Sequence, residues 1–164
     1  MHHTRNNILT VVAMVGVIPA ARFAVSWIMI MTQQSASEEI YRLTEENAAN
    51  LTRAYELTVT AYEGRMPLEA VVICGNNVVC FSSRAQSDKI TFMQKHMEKS
   101  LSADGFFDMK VKILQDQKAY LQRIRQLAEK PESYREGLKY KPDPRFPDVT
   151  RDELAMRTIM AISL

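Results

Sequence analysis

Residues 68–113 spell out a short β-rich motif that few folds can accommodate. LEAVVICGNNVVCFSS holds two apolar strands about a Gly75-Asn76-Asn77 turn, RAQSDKITFMQKHMEKSLSADG an amphipathic helix, and FFDMKVKI a third strand. The turn residues tolerate positive φ, so residues 69–82 are expected to close as a hairpin. Both of its strands are apolar on both sides. With the two asparagines as the turn, Val72, Cys74, Val79 and Phe81 share one face, and Val71, Ile73, Val78 and Cys80 share the other. One face is expected to pack on the chain's own helices. The other needs a second layer or a partner, because a bare apolar sheet face is an association site.

Helices are expected on either side of this motif. Ser35-Ala-Ser-Glu38 matches a capping box, and a long helix is read from there to about Tyr62, with Ile40, Ala48, Leu51, Tyr55, Val59 and Tyr62 on one stripe. Gly64 and Pro67 close it. Ser87 is placed to cap a second helix, whose stripe is Ile90, Met93, Met97 and Leu101. Phe107, Met109, Val111 and Ile113 then alternate with Asp108, Lys110 and Lys112, the pattern of a half-buried strand. Asp116 caps a third helix with Tyr120, Leu121, Ile124, Leu127 and Ala128 inward, and Pro131 lies past its end. Residues 131–149 are polar and proline-spaced (Pro142, Pro144, Pro147), hence an extended arm. Thr150-Arg-Asp-Glu153 is another capping box, opening a last helix that ends in the apolar IMAISL.

The N-terminal run ILTVVAMVGVIPAARFAVSWIMIM, residues 8–31, is long enough to cross a hydrocarbon core of roughly 30 Å. Its length, and the lack of a small-x-small cleavage site, argue against a removed signal peptide. Pro19 would kink such a helix, and Arg22 places a charge that costs roughly 2.5–3.5 kcal/mol on insertion scales. Snorkelling to water or an acidic partner in the membrane would each accommodate Arg22. Arg5 on one flank, and glutamates 38, 39, 45 and 46 on the other, favour a cytoplasmic N-terminus with the domain on the opposite side. The expected architecture is α+β: an N-terminal transmembrane helix over residues 1–33, a compact α-β-β-α-β-α domain with a three-stranded sheet over 34–130, and an extended arm with a C-terminal helix over 131–164.

No catalytic set emerges from the sequence. His2 and His3 sit at the terminus, and His96 falls on the polar side of the second helix, where a lone histidine is a surface residue. No Cys or His pair has zinc spacing with two further ligands, and no phosphate loop or nucleophile elbow is present. No catalytic, cofactor-binding or metal residue is therefore assigned. Cys74 and Cys80 point to opposite faces if the turn has two residues, and oppose each other for a cross-strand disulfide if the loop has three. Two buried small hydrophobes is the reading adopted. Asn50-Leu-Thr52 is a sequon in mid-helix and is discounted. Basic residues thicken after Lys110 (Arg123, Arg125, Arg135, Lys139, Lys141), either as a solvated face or as a contact for anionic headgroups or wall polymer. A net charge of +2 without interleaved aromatics argues against nucleic acid.

AVVICGNNVVCF and FFDMKVKILQDQKAYLQRIRQLAE together resemble the sporulation lipoproteins of the YhcN/YlaJ type, which have a BON-like domain. The resemblance covers roughly residues 51–127: a valine-rich strand, a Gly-Asn turn, a second strand, then a strand running into an acid-capped helix. Ring-building domains of secretion and sporulation channels share the α-β-β-α-β order. The chain departs from the lipoprotein pattern in lacking a lipobox cysteine after the apolar run, and in its proline-spaced tail and last helix. The resemblance implies a non-enzymatic envelope protein and carries over no site residues. The expectation is a single-pass structural or assembly protein, meeting membrane lipid and other subunits through the sheet face, the arm and the C-terminal helix. The alternative is an accessory subunit of a large energy-converting membrane complex.

Overall fold

The computed structural model describes residues 21–24, 27, 37–62, 64–138 and 147–163. Residues 1–35 and 36–164 form two separate compact units. In the first, residues 21–24 and 27 are helical, with Phe23 and Trp27 exposed by 76% and 64%. The rest of the expected span over 8–31 lies outside the described residues. Among the described residues no helix is long and apolar enough to cross a membrane.

The second unit runs α1 (Glu38–Asn47), β1 (Thr52–Ala61), β2 (Gly64–Cys74), β3 (Asn77–Phe81), α2 (Ser87–Ala103), β4 (Lys110–Leu114), α3 (Gln117–Glu129), α4 (Pro131–Arg135) and α5 (Arg151–Ala161). The class is α+β as expected, but the sheet has four strands, ordered β1-β2-β3-β4, not three. The first three form an antiparallel meander, and α2 returns the chain so that β4 lies parallel to β3.

The added strand occupies the region expected to be the second half of a long helix. Thr52, Thr58, Val59 and Thr60 are β-branched, which favours a strand there. The alternation that would have announced it is broken at Glu56, whose φ is 55°. Ala54 lies in one core cluster, and Leu57, Val59 and Ala61 pack into that same cluster, so the inward positions change from even to odd. β2 makes the same exchange opposite: Leu68 and Val71 lie in that cluster, and Ala70 in the other. Because both strands change together, the register Thr52↔Ile73 to Ala61↔Gly64 is preserved.

Both faces of the sheet are covered by the chain's own helices, so the second layer comes from within the chain, where the sheet had been expected to carry helices on one face. Met93, Met97 and Leu101 of α2, with Ala155, Met156 and Ile159 of α5, bury Val71, Ile73, Val78 and Cys80. Ile40 of α1, with Tyr120, Ile124 and Leu127 of α3, buries Val72, Cys74, Val79 and Phe81. The face assignment read from sequence therefore holds, although the turn is Gly75-Asn76 and not the two asparagines. Cys74 pairs with Asn77, a shift of two positions that leaves each side chain on its own face.

The element ends follow local chemistry. Asp116 caps α3 by accepting from the Ala119 amide at 2.9 Å, and Thr150 and Glu153 form the expected capping box of α5. Ser87 is not a cap: Gln86 precedes α2 and makes no side-chain cap. Ser37, not Ser35, precedes α1, again without a side-chain cap, and Ser35 lies outside the described residues. Phe107 is 66% exposed, in a turn with Asp108 at φ 62°, so the strand expected from residue 107 starts at Lys110. Pro131 opens α4, a position where its missing N–H costs nothing, so the arm expected to be extended begins as a helical turn. Residues 139–146 of that arm lie outside the described residues.

An arginine closes α1 onto β1. Arg53 donates Nε and Nη2 to the Glu45 carboxylate, both at 2.6 Å, and Nη1 to the carbonyls of Ala48, Ala49 and Leu51 at 3.0–3.3 Å. Tyr55 adds its hydroxyl to Glu45 at 2.8 Å. The Arg53 hydrogen bond, reinforced by Tyr55 against a smaller burial penalty, holds the Glu45 carboxyl below its ordinary value of 4.5. A carboxyl with a depressed folded pKa contributes stability that is complete above the unfolded value and is lost as pH falls through the folded one. Glu45→Gln is therefore expected to flatten part of the loss of stability between about pH 6 and pH 3 in urea titrations. An unchanged acid limb would exclude Glu45 as its source.

Candidate functional site: the arginine-clasped hairpin turn

A polar constellation drawn from three helices surrounds the β2–β3 turn. Gly75 has φ +59°, and Asn76 has none of the positive φ that a type I′ turn would need, so the signs are those of type II′ with glycine first. Arg151, the first residue of α5, donates Nη1 to the Gly75 carbonyl at 2.8 Å and Nη2 to Asn76 Oδ1 at 2.7 Å. Its guanidinium also stands over the Phe106 ring, 5.7 Å from the centroid. Arg123 of α3 donates to Asn77 Oδ1 at 3.1 Å. Asp152, buried beneath the turn, accepts from Arg135 Nε at 3.0 Å and from the Gly75 amide at 3.4 Å.

Electrostatics here serve cohesion. Burial disfavours the Arg151 charge and lowers its pKa, with Asp152 working the other way. For Arg135 burial also opposes the charge, but the Asp152 hydrogen bond and charge outweigh it and the pKa rises. Burial pushes the Cys74 thiol up to about 11, and raises that of Cys80 further. Both thiols are therefore protonated and poorly nucleophilic at neutral pH.

A cleft of about 520 Å³ opens beside the clasp, lined by residues including Asn50, Thr52, Glu132, Arg135, Thr150 and Asp152. Its charged groups are largely spoken for. Arg135 holds Asp152 and reaches Glu132 at 3.5 Å, and the first turn of α5 is satisfied by Thr150 and Glu153. Asn50 donates to the Ala128 carbonyl at 3.0 Å. Among the described residues no group of three or more His, Cys, Asp or Glu is placed to hold a metal ion.

Cys74 and Cys80 are free thiols on opposite faces. His96 is half-buried, its ring stacked on Phe92 with centroids 6.4 Å apart. Asn50 lies in the turn between α1 and β1, not in mid-helix. Of the basic run, Arg123, Arg125 and Arg135 bond Asn77, Asn47 and Asp152; Arg125 does so on the exposed face of α3. Lys139 and Lys141 lie outside the described residues. Arg151 and Asp152 stand inside the Thr150–Glu153 capping box, and nothing in that motif announces a contact with a turn 76 residues earlier.

Comparison with protein-family models, with curated proteins and with solved structures finds no match to this chain.

Proposed function

We propose that this chain is a non-enzymatic, membrane-anchored structural or assembly protein, whose folded unit is held at a membrane by its N-terminal run. The observation that carries the reading is the pair Phe23 and Trp27. Four residues apart on helical backbone, they leave two large aromatic side chains uncovered within an apolar stretch. Burying each ring would contribute roughly 2–3 kcal/mol, which lipid or a neighbouring polypeptide would supply. The clasp supports the same reading from the other side, since its arginines and Asp152 hold elements together.

The partners are other subunits, met through the anchor, the arm and the outer side of α5, where Met160 is 45% exposed. The sheet face drops out of this proposal because helices fill both sides. That same closure favours a second reading, an accessory subunit of a large energy-converting membrane complex, over a ring built by sheet contacts. A sporulation-type envelope role remains the proposal drawn from the BON-like pattern.

The test is fractionation of the full chain from its native membranes, then native mass in mild detergent. A carbonate-resistant membrane fraction that yields a homo-oligomer supports the envelope reading. Co-migration with many different polypeptides supports the accessory subunit. Full recovery in the aqueous fraction overturns both.

A further inference from the structure

The two edges of the sheet are protected in different ways. β4 is short, exposes Lys110 and Lys112, and has its outward Val111 amide taken by Glu98 Oε1 at 3.0 Å. Charge and a side-chain acceptor are common devices against strand addition. β1 has ten residues, and beyond Glu56 its edge reads Leu57-Thr58-Val59-Thr60-Ala61, with neither charge nor proline. A β-branched, uncharged edge of that kind is a template for another strand. Here Ile162 and Ser163 lie across it. The Thr60 amide donates to the Ile162 carbonyl at 3.1 Å, and Val59 bridges Ser163 in antiparallel sense.

We propose that Ile162 and Ser163 are an edge guard, and that the surface they cover is a homotypic interface: without them, β1 pairs antiparallel with β1 of a second copy. The geometry favours a second copy as occupant. An antiparallel pair centred near Val59 relates two identical edges by a twofold axis, so every residue meets its own counterpart's complement. The tail already shows that the Thr60 amide is aimed outward and donates to an antiparallel neighbour. Glu56, in left-handed conformation, limits the paired stretch to the segment beyond it.

The experiment compares the full chain with a variant ending at Ala161, in the same mild detergent, by light scattering over a concentration series. The truncated variant is expected to double in mass relative to the full chain, whatever mass the full chain has. Adding Thr60→Pro to the truncation removes the outward N–H and is expected to restore the lower mass. A truncated variant of unchanged mass overturns the proposal, and so does a doubled mass that survives Thr60→Pro. If circular dichroism shows that truncation unfolds the unit, Ser163→Pro in the full-length chain is read by the same two measurements. That substitution frees the Met160 carbonyl from the Ser163 amide and bars Ile162 from its present backbone conformation, which draws the Ile162 carbonyl away from Thr60. The comparison between variants is independent of how the N-terminal run meets the membrane.

Discussion

Gly75→Ala is expected to lower the stability of the folded unit by about 2–5 kcal/mol, the sum of a left-handed backbone cost and an overpacking cost. Gly75 sits at φ +59°, where a Cβ is already unfavourable. A Cβ built there would also lie 1.9 Å from the Tyr134 carbonyl oxygen and 2.7 Å from its carbon. Those are backbone atoms of α4, so relief requires α4 to lift away, and with it the Arg135 bond to Asp152. Gly105→Ala provides the control. Its φ is +89°, but nothing lies within 4 Å of the added carbon, so only the conformational part, about 1–2 kcal/mol, should appear. Equal losses in the two variants, read from urea unfolding midpoints, would show that the seat against α4 carries no weight.

Tyr120→Ala is expected to cost about 3–5 kcal/mol, the range for emptying a fully buried aromatic site. Tyr120 is wholly buried in the layer under α1 and α3, packs on Phe81 at a 5.2 Å centroid distance, and shares a hydrogen bond with Thr44 Oγ1 at 3.1 Å. Burial drives its hydroxyl pKa upward, so it is protonated at neutral pH. Tyr120→Phe keeps the ring and leaves the buried Thr44 hydroxyl without this partner, for an expected loss of about 1–2 kcal/mol. Thr44→Val added to Tyr120→Phe should recover part of that loss, because the orphaned hydroxyl is then gone. A double variant no better than the single would assign the effect to packing alone.

What could be read from the sequence was whatever depended on neighbours in the chain. The stripe Met93, Met97, Leu101 of α2 and the stripe Tyr120, Ile124, Leu127 of α3 are buried as their spacing predicts. So are Met109, Val111 and Ile113, and both faces of the β2–β3 hairpin. β1 was not legible, because Glu56 interrupts its period. Ala54, Leu57, Val59 and Ala61 fit no strict alternation, while Leu51, Tyr55, Val59 and Tyr62 happen to repeat at three- and four-residue steps. Helix was the better local fit and tertiary pairing with β2 overrode it. The clasp was illegible for another reason. Arg151 and Asp152 act on a turn far away in sequence, and a capping motif explains their neighbourhood so well that no residual signal remained.

The paired change of face at Glu56 and Glu69 makes the distal half of the β1–β2 ribbon an inseparable unit of inheritance. Dropping Glu56 from β1 alone would slide its distal half one position against β2, whereas dropping one residue from each strand would restore a plain zigzag that keeps Leu57, Val59 and Ala61 on the face of Ala54. Length variation in this ribbon should therefore occur only as matched edits on both arms, a signature that aligned relatives would display as correlated gaps thirteen positions apart.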